Sequence, residues 1–400
     1  MLYARPIPLR LFLVALGLPL MSHAAAPYID PSTDAEHWGP ADPSKTLFWT
    51  PAQQVAGYRN MEKLSPARRI PASTAPSALP EAPVDLSGVR FVHDGVEMTV
   101  EQYCAEGSVA GLIVLQNGAV AYERYGLGND QSTRWASWSV AKSITSLLVG
   151  AAVRDGYIES VDEKVIDYLP RLRESAYAGT TIRNVLHMAS GVAWNEDYDD
   201  PQSDVNRAPW GTLSLQRFLR DKGAIARPGT VFNYNTAESN LVGTLLRAAI
   251  GNNLSTYLSE KIWQPVGMET DAYWTLTEPG GGEFGGCCLS ITLRDYARIG
   301  LFALREGRLK DGTQVLAEDW MRDATQPSPA APEYGYLWWL RGDGSYRASG
   351  VFGQGISIHP QEGIVIALNS ARPNASTPED SARQEALFAA LVSALSANDD

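Results

Sequence analysis

The chain has 400 residues but only three cysteines and five histidines. His23, His37, His93, His187 and His359 are scattered, and no HExxH, HxH or CxxC spacing occurs. Zinc-type sites need such clustered ligands, so no metal centre is expected. A Ser-His-Asp triad has little to be built from. No GxSxG turn is present to lift a nucleophile over a hydrolase sheet. GxxxxGK[ST] and GxGxxG are also missing, so no phosphate cradle is expected. Positive charge is the scarcer sign: 33 Lys and Arg against 45 Asp and Glu give a net charge of −12. That balance argues against a nucleic-acid partner and against adhesion to an anionic membrane.

What is there begins with residues 1–24, which read as a secretory signal peptide. Arg5 and Arg10 precede an apolar stretch from Leu11 to Met21, shorter than the roughly 20 residues of a membrane span. Ser22-His23-Ala24 offers a cleavage site after Ala24; the other reading is a retained amphipathic anchor. Removal of the segment takes away two positive charges and leaves −14. The expected location is the periplasm or the exterior, with no membrane insertion after cleavage. An oxidising compartment permits a disulfide from Cys104 to Cys287 or Cys288, and three buried free thiols are the alternative.

Residues 25–90 are rich in Pro, Ser and Ala and read as an extended segment wrapped on a domain, docked through Trp38, Phe48 and Trp49. Asn117-Gly118 between two apolar runs predicts a hairpin with a type I′ turn. Helices are expected near 139–155, 181–188, 237–250, 254–263, 291–306 and 378–397. Strands are expected in 334–340, 346–350, 355–359 and 363–368. Strands near both ends with helices between predict an α+β fold. Its antiparallel sheet comes from residues 91–155 and 285–400. A mainly helical domain over 156–284 leaves a cleft between the two, where ligands bind.

Ser139-Val140-Ala141-Lys142 lies in a buried-helix pattern. Residues three apart on a helix share a face. A serine hydroxyl needs a base, and a lysine serves only if burial lowers its pKa. Two fixed positions in four also arise by chance, so the rest of the chain must decide. Tyr234-Asn235-Thr236 precedes a helix, where a tyrosine either faces a cleft as a proton shuttle or packs as an ordinary aromatic. Ala348-Ser349-Gly350-Val351 ends a late strand. There the Val351 amide could join that of Ser139 in an oxyanion hole, or simply edge the sheet.

In this order, these elements resemble the serine β-lactamase-like superfamily: class C β-lactamases, DD-peptidases, family VIII esterases and 6-aminohexanoate-oligomer hydrolases. Ser139-x-x-Lys142 matches its first motif, and Tyr234-Asn235-Thr236 matches Tyr-x-Asn. Ala348-Ser349-Gly350 falls where Lys/His-Thr/Ser-Gly stands. Leu186–Gly191, Glu196–Pro201, Trp263–Gly267, Thr292–Arg298, Tyr334–Trp339 and Gly350–Gln354 are similar to the aminohexanoate-hydrolase branch. The resemblance spans about residues 85–395. It implies an acyl-enzyme on Ser139, with proton transfers shared by Lys142 and Tyr234. Asn235, Thr236, Ser349 and Gly350 would contact the substrate, and no cofactor is implied.

Ala348 stands where lactamases and DD-peptidases carry a cation for the substrate carboxylate, and Thr236 replaces the usual Asn. Both changes favour a linear amide or ester as the small-molecule substrate. A lactamase or DD-peptidase, and a catalytically silent ligand binder, are the rival readings. The tyrosine matching Tyr198 closes over the substrate amide in the aminohexanoate branch. The acidic loop of Glu196, Asp197, Asp199, Asp200 and Asp204 is either a solvated loop or a landing site for a cationic substrate end. Trp194 and Trp210 would wall an acyl pocket or pack in the core. Oligomeric state is not legible.

Overall fold

A computed structural model of the chain describes residues 43–397. The expected signal segment, its cleavage site and Trp38 lie outside the described residues. The main sheet has six antiparallel strands. Their spatial order is Ala119–Tyr125, Val109–Gln116, Ile364–Ser370, Gly355–His359, Tyr346–Ser349 and Trp339–Leu340. Its strands therefore come from both ends of the chain, as the alternation of elements predicted. Asn117 and Gly118 both take positive φ (51° and 84°), the pairing that a type I′ turn requires.

Period-two alternation sets what each face of this sheet covers. Leu112 and Val114 face the C-terminal helix Pro378–Ser396, where Leu387, Phe388, Leu391 and Leu395 are buried against them. Ile113 and Leu115 face the other way, into the large core that holds helices Leu293–Leu304 and Val140–Arg154. Gly300 permits the close approach of helix and sheet, because a Cβ there would come within 2.4 Å of Val365.

A second, four-stranded sheet had no signal in the sequence. It joins Ala67–Ile70, Ala272–Thr275, Leu289–Thr292 and Arg134–Ala136, all antiparallel. Its presence changes two expectations. Ile291 and Thr292 end a strand, so the helix read over 291–306 starts at Leu293. The stretch read as extended contains helices Pro51–Tyr58 and Met61–Leu64 as well as a paired strand. Trp49 docks as expected at 5% exposure, whereas Phe48 faces outward at 47%. In 334–340 only Trp339–Leu340 forms a strand, because Leu337 takes a positive φ of 62°.

Helix Thr236–Ile250 packs on helix Val140–Arg154, with Leu241, Val242, Leu245 and Leu246 in the same core as Ile144, Leu147 and Leu148. Helix Leu254–Leu258 runs on through a widened turn, Ser259–Trp263, to Gln264–Val266 and stops at Gly267. No helix of the described residues is long and apolar enough to cross a membrane.

Candidate active site

Ser139 stands at the N-cap position of helix Val140–Arg154, with its side chain not used for capping. The residue before it, Trp138, has a φ of 47°, a conformation a bulky side chain adopts only when packing enforces it. That packing is aromatic: the Trp138 ring meets Phe352 at 4.9 Å and Tyr58 at 5.5 Å between centroids. Tyr58 comes from the N-terminal segment, and Phe352 follows Val351 directly. One cluster thus fixes the turn that carries Ser139 and the turn that carries Val351.

One helical turn beyond Ser139, Lys142 is 1% exposed. Burial lowers its amine to about 8, against a weaker opposing pull from the Glu196 carboxylate. Its Nζ lies 2.9 Å from Ser139 Oγ and donates to Thr236 Oγ1 (3.1 Å) and to the Gly286 carbonyl (2.9 Å). A neutral amine has two N–H bonds and one lone pair. With both N–H groups engaged, the lone pair is left for the Ser139 hydroxyl. The geometry therefore suits a base that takes the serine proton.

Thr236 is tied in turn to Glu196. The Thr236 hydroxyl donates to Glu196 Oε1, and its amide donates to Oε2 at 3.0 Å. Tyr198 also donates to Oε1, at 2.9 Å, and the Trp194 indole donates to Oε2. The carboxylate is thus one hydroxyl removed from Lys142. The sequence showed Glu196 as one of several loop acids. Its only signal was its place two residues before the motif tyrosine Tyr198.

The Tyr234 ring lies under Lys142, with Nζ 5.1 Å from the ring centroid. Burial raises the phenol well above its ordinary range, and a hydrogen bond with Ser139 pulls it partly back. Tyr234 stacks on Trp339 and meets Tyr334 edge-on, which fixes the ring. The phenol is therefore a proton-bearing group held beside the nucleophile.

Ser139, Tyr198, Thr236 and Val351 open on one cleft of about 920 Å³. Among the described residues, neither the Ser139 nor the Val351 amide donates a hydrogen bond within the protein. Gly350 lies against the nucleophile turn, where a Cβ would sit 3.0 Å from the Ser137 carbonyl. Ser349 and Gly350 themselves do not line the cleft. Asn235 is 1% exposed, and its Oδ1 accepts from the Glu238 amide at 3.0 Å, so it caps helix Thr236–Ile250. Of the two tryptophans, Trp210 walls the cleft; Trp194 is buried beside it, with ring centroids 6.4 Å apart.

The expected bridge from Cys104 to Cys287 or Cys288 is corrected, because Cys104 is a buried free thiol in a separate core cluster. Cys104 sits under the main sheet beside Tyr103 and Leu112, whereas Cys287 and Cys288 wall the cleft. Burial raises the Cys104 thiol to about 11, which makes it a poor nucleophile.

The family profile described as Beta-lactamase matches residues 96–391. The 6-aminohexanoate-dimer hydrolase of Paenarthrobacter ureafaciens is 28% identical over 339 residues, 78% of this chain and 82% of that protein. A Bacillus anthracis structure provisionally named 6-aminohexanoate-dimer hydrolase superposes with a TM-score of 0.77 at 22% identity, over 86% of this chain and 94% of the other. A family VIII carboxylesterase superposes with a TM-score of 0.56 at 15% identity, over 72% of this chain and 95% of the other. At those identities the structural likenesses are of fold. With the profile covering most of the chain and a paired serine and lysine at its cleft, the protein belongs to the β-lactamase family and is a hydrolase of that fold.

Proposed function

We propose that this protein hydrolyses a linear amide or ester through an acyl-enzyme on Ser139. The observation that carries the reading is the 2.9 Å contact between Ser139 Oγ and a buried Lys142 whose other hydrogen bonds are taken. In this reading Lys142 accepts the serine proton as Oγ attacks the substrate carbonyl. The tetrahedral oxyanion is held by the Ser139 and Val351 amides. Lys142 and Tyr234 pass the proton to the leaving amine or alcohol, and the C–N or C–O bond breaks. Water then attacks the acyl-serine with the same groups acting in reverse.

Ala348 supports a substrate that needs no cationic partner for a carboxylate. It is 1% exposed and packs in the core. The test is p-nitrophenyl butyrate hydrolysis by wild type and Ser139→Ala, with intact-mass detection of a fluorophosphonate adduct. Activity that survives in Ser139→Ala, or wild type that takes no adduct, overturns the reading. Nitrocefin turnover matching ester turnover would assign a lactamase instead. We further propose export with cleavage after Ala24; N-terminal sequencing of the exported protein should begin at Ala25, and an uncleaved N-terminus refutes it.

A further inference from the structure

The acyl-enzyme reading leaves the acyl group unspecified, and the cleft wall bears on it. Among the described residues, its charged lining side chains are Lys45 and Glu278. Glu278 Oε1 accepts from the Thr212 amide at 3.1 Å at a helix start, and its side chain is exposed. The acidic loop passes the cleft through Tyr198, Pro201 and Val205, but its carboxylates do not line it. Asp197 Oδ1 accepts from the amides of Asp199 (3.0 Å) and Asp200 (3.3 Å). Asp200 Oδ1 accepts from Gln202, and Asp204 holds the Asn195 amide and pairs with Lys222. Glu196 is committed to Thr236, Tyr198 and Trp194.

The wall is otherwise largely apolar. Phe284 and Trp210 meet at 4.7 Å between centroids, and Leu47, Phe48, Met61 and Val205 continue the surface. An ammonium seated against Phe284 and Trp210 would lose its hydration and meet Lys45 as well as Glu278, so the two lining charges offset each other. A hydrocarbon chain gains roughly fourfold in binding per buried methylene.

Resting on the acyl-enzyme reading, we infer that the substrate is a neutral ester or amide with an extended apolar acyl chain. The chain seats on Phe284 and Trp210, and an ammonium-terminated chain of the same length is disfavoured. The Asp197 and Asp200 carboxylates then serve the loop's own folding.

The test compares p-nitrophenyl acetate, heptanoate and 6-aminohexanoate at pH 7. The last two differ by a terminal methyl against an ammonium. The heptanoate should exceed both others in kcat/KM at least tenfold. Equal or faster turnover of the 6-aminohexanoate ester, or of the acetate, overturns the inference. Phe284→Ala should lower the heptanoate-to-acetate ratio at least fivefold; an unchanged ratio refutes this seat. Binding of heptanamide and 6-aminohexanamide to Ser139→Ala, read by calorimetry, separates the two claims. Tighter heptanamide upholds the seat even if wild type turns over no ester, an outcome that would sink only the acyl-enzyme reading. Equal or tighter 6-aminohexanamide overturns the seat.

Discussion

Replacing Glu196 by Gln tests how the base is tuned. In the proposed mechanism Lys142 acts as a neutral amine, so kcat/KM for an ester should rise with pH through its titration near pH 8. The Glu196 carboxylate favours the ammonium form and holds that titration up. Two hydrogen bonds in series, Lys142 to Thr236 and Thr236 to Glu196, place the charges roughly 5 Å apart. At an effective dielectric constant of about 20 the attraction is at most about 3 kcal/mol, or about two pH units. The cleft admits water, so about one unit is expected. Gln keeps an acceptor for Thr236 and removes the charge. The assay is the pH dependence of kcat/KM for p-nitrophenyl butyrate between pH 6 and 10. Glu196→Gln should move the rising limb down by about one unit, with Thr236→Ser near wild type as a control for packing. A limb that stays put or moves up would refute the coupling between Glu196 and Lys142.

Glu238 is fully buried, accepts from Tyr177 and Ser190, and has its carboxyl raised to about 8 by desolvation. A raised carboxyl pKa means the folded state holds a proton that the unfolded state gives up above about pH 4.5. Its stabilising contribution is whole below that pH and is lost as pH rises through 8. Glu238→Gln should flatten urea-melt stability between pH 5 and 8 by on the order of a few kcal/mol; an unchanged slope counts against it. Gly350→Ala places a Cβ 2.6 Å from Gln354 Oε1, which accepts from the Phe352 amide, so it should displace the Val351 turn. A kcat loss of at least tenfold with an unchanged circular dichroism spectrum is expected, and full activity refutes it. Leu391→Ala, on the sheet face away from Ser139, should cost about 2–5 kcal/mol by denaturant melt while leaving kcat unchanged at 25 °C. A loss below about 1 kcal/mol would mean the C-terminal helix is not anchored as described.

Much of the fold was legible because it rests on local rules. Asn117-Gly118 fixes its hairpin through two positive φ angles, and apolar periodicity marks helices Val140–Arg154 and Pro378–Ser396. The second sheet escaped because its strands are three or four residues long and each gains its partners from far along the chain. No short-range pattern encodes such pairing. Phe48 and Trp49 illustrate the same limit: they are adjacent aromatics, yet one is exposed and the other is buried.

At the site, spacing alone placed Ser139 and Lys142 on one face of a helix, because the helical repeat is a property of the backbone. The surroundings of that lysine were decided by burial among elements distant in sequence, including the Gly286 carbonyl and Thr236. Charge in the acidic loop could be counted from the sequence, but the direction of each carboxylate could not. Only the folded chain turns Glu196 toward Thr236, and Asp197 and Asp200 into their own loop. Composition and local periodicity determine which groups are available and which lie one helical turn apart. Long-range packing decides which of them lose their water, and that loss sets the lysine's basicity and the character of the cleft wall.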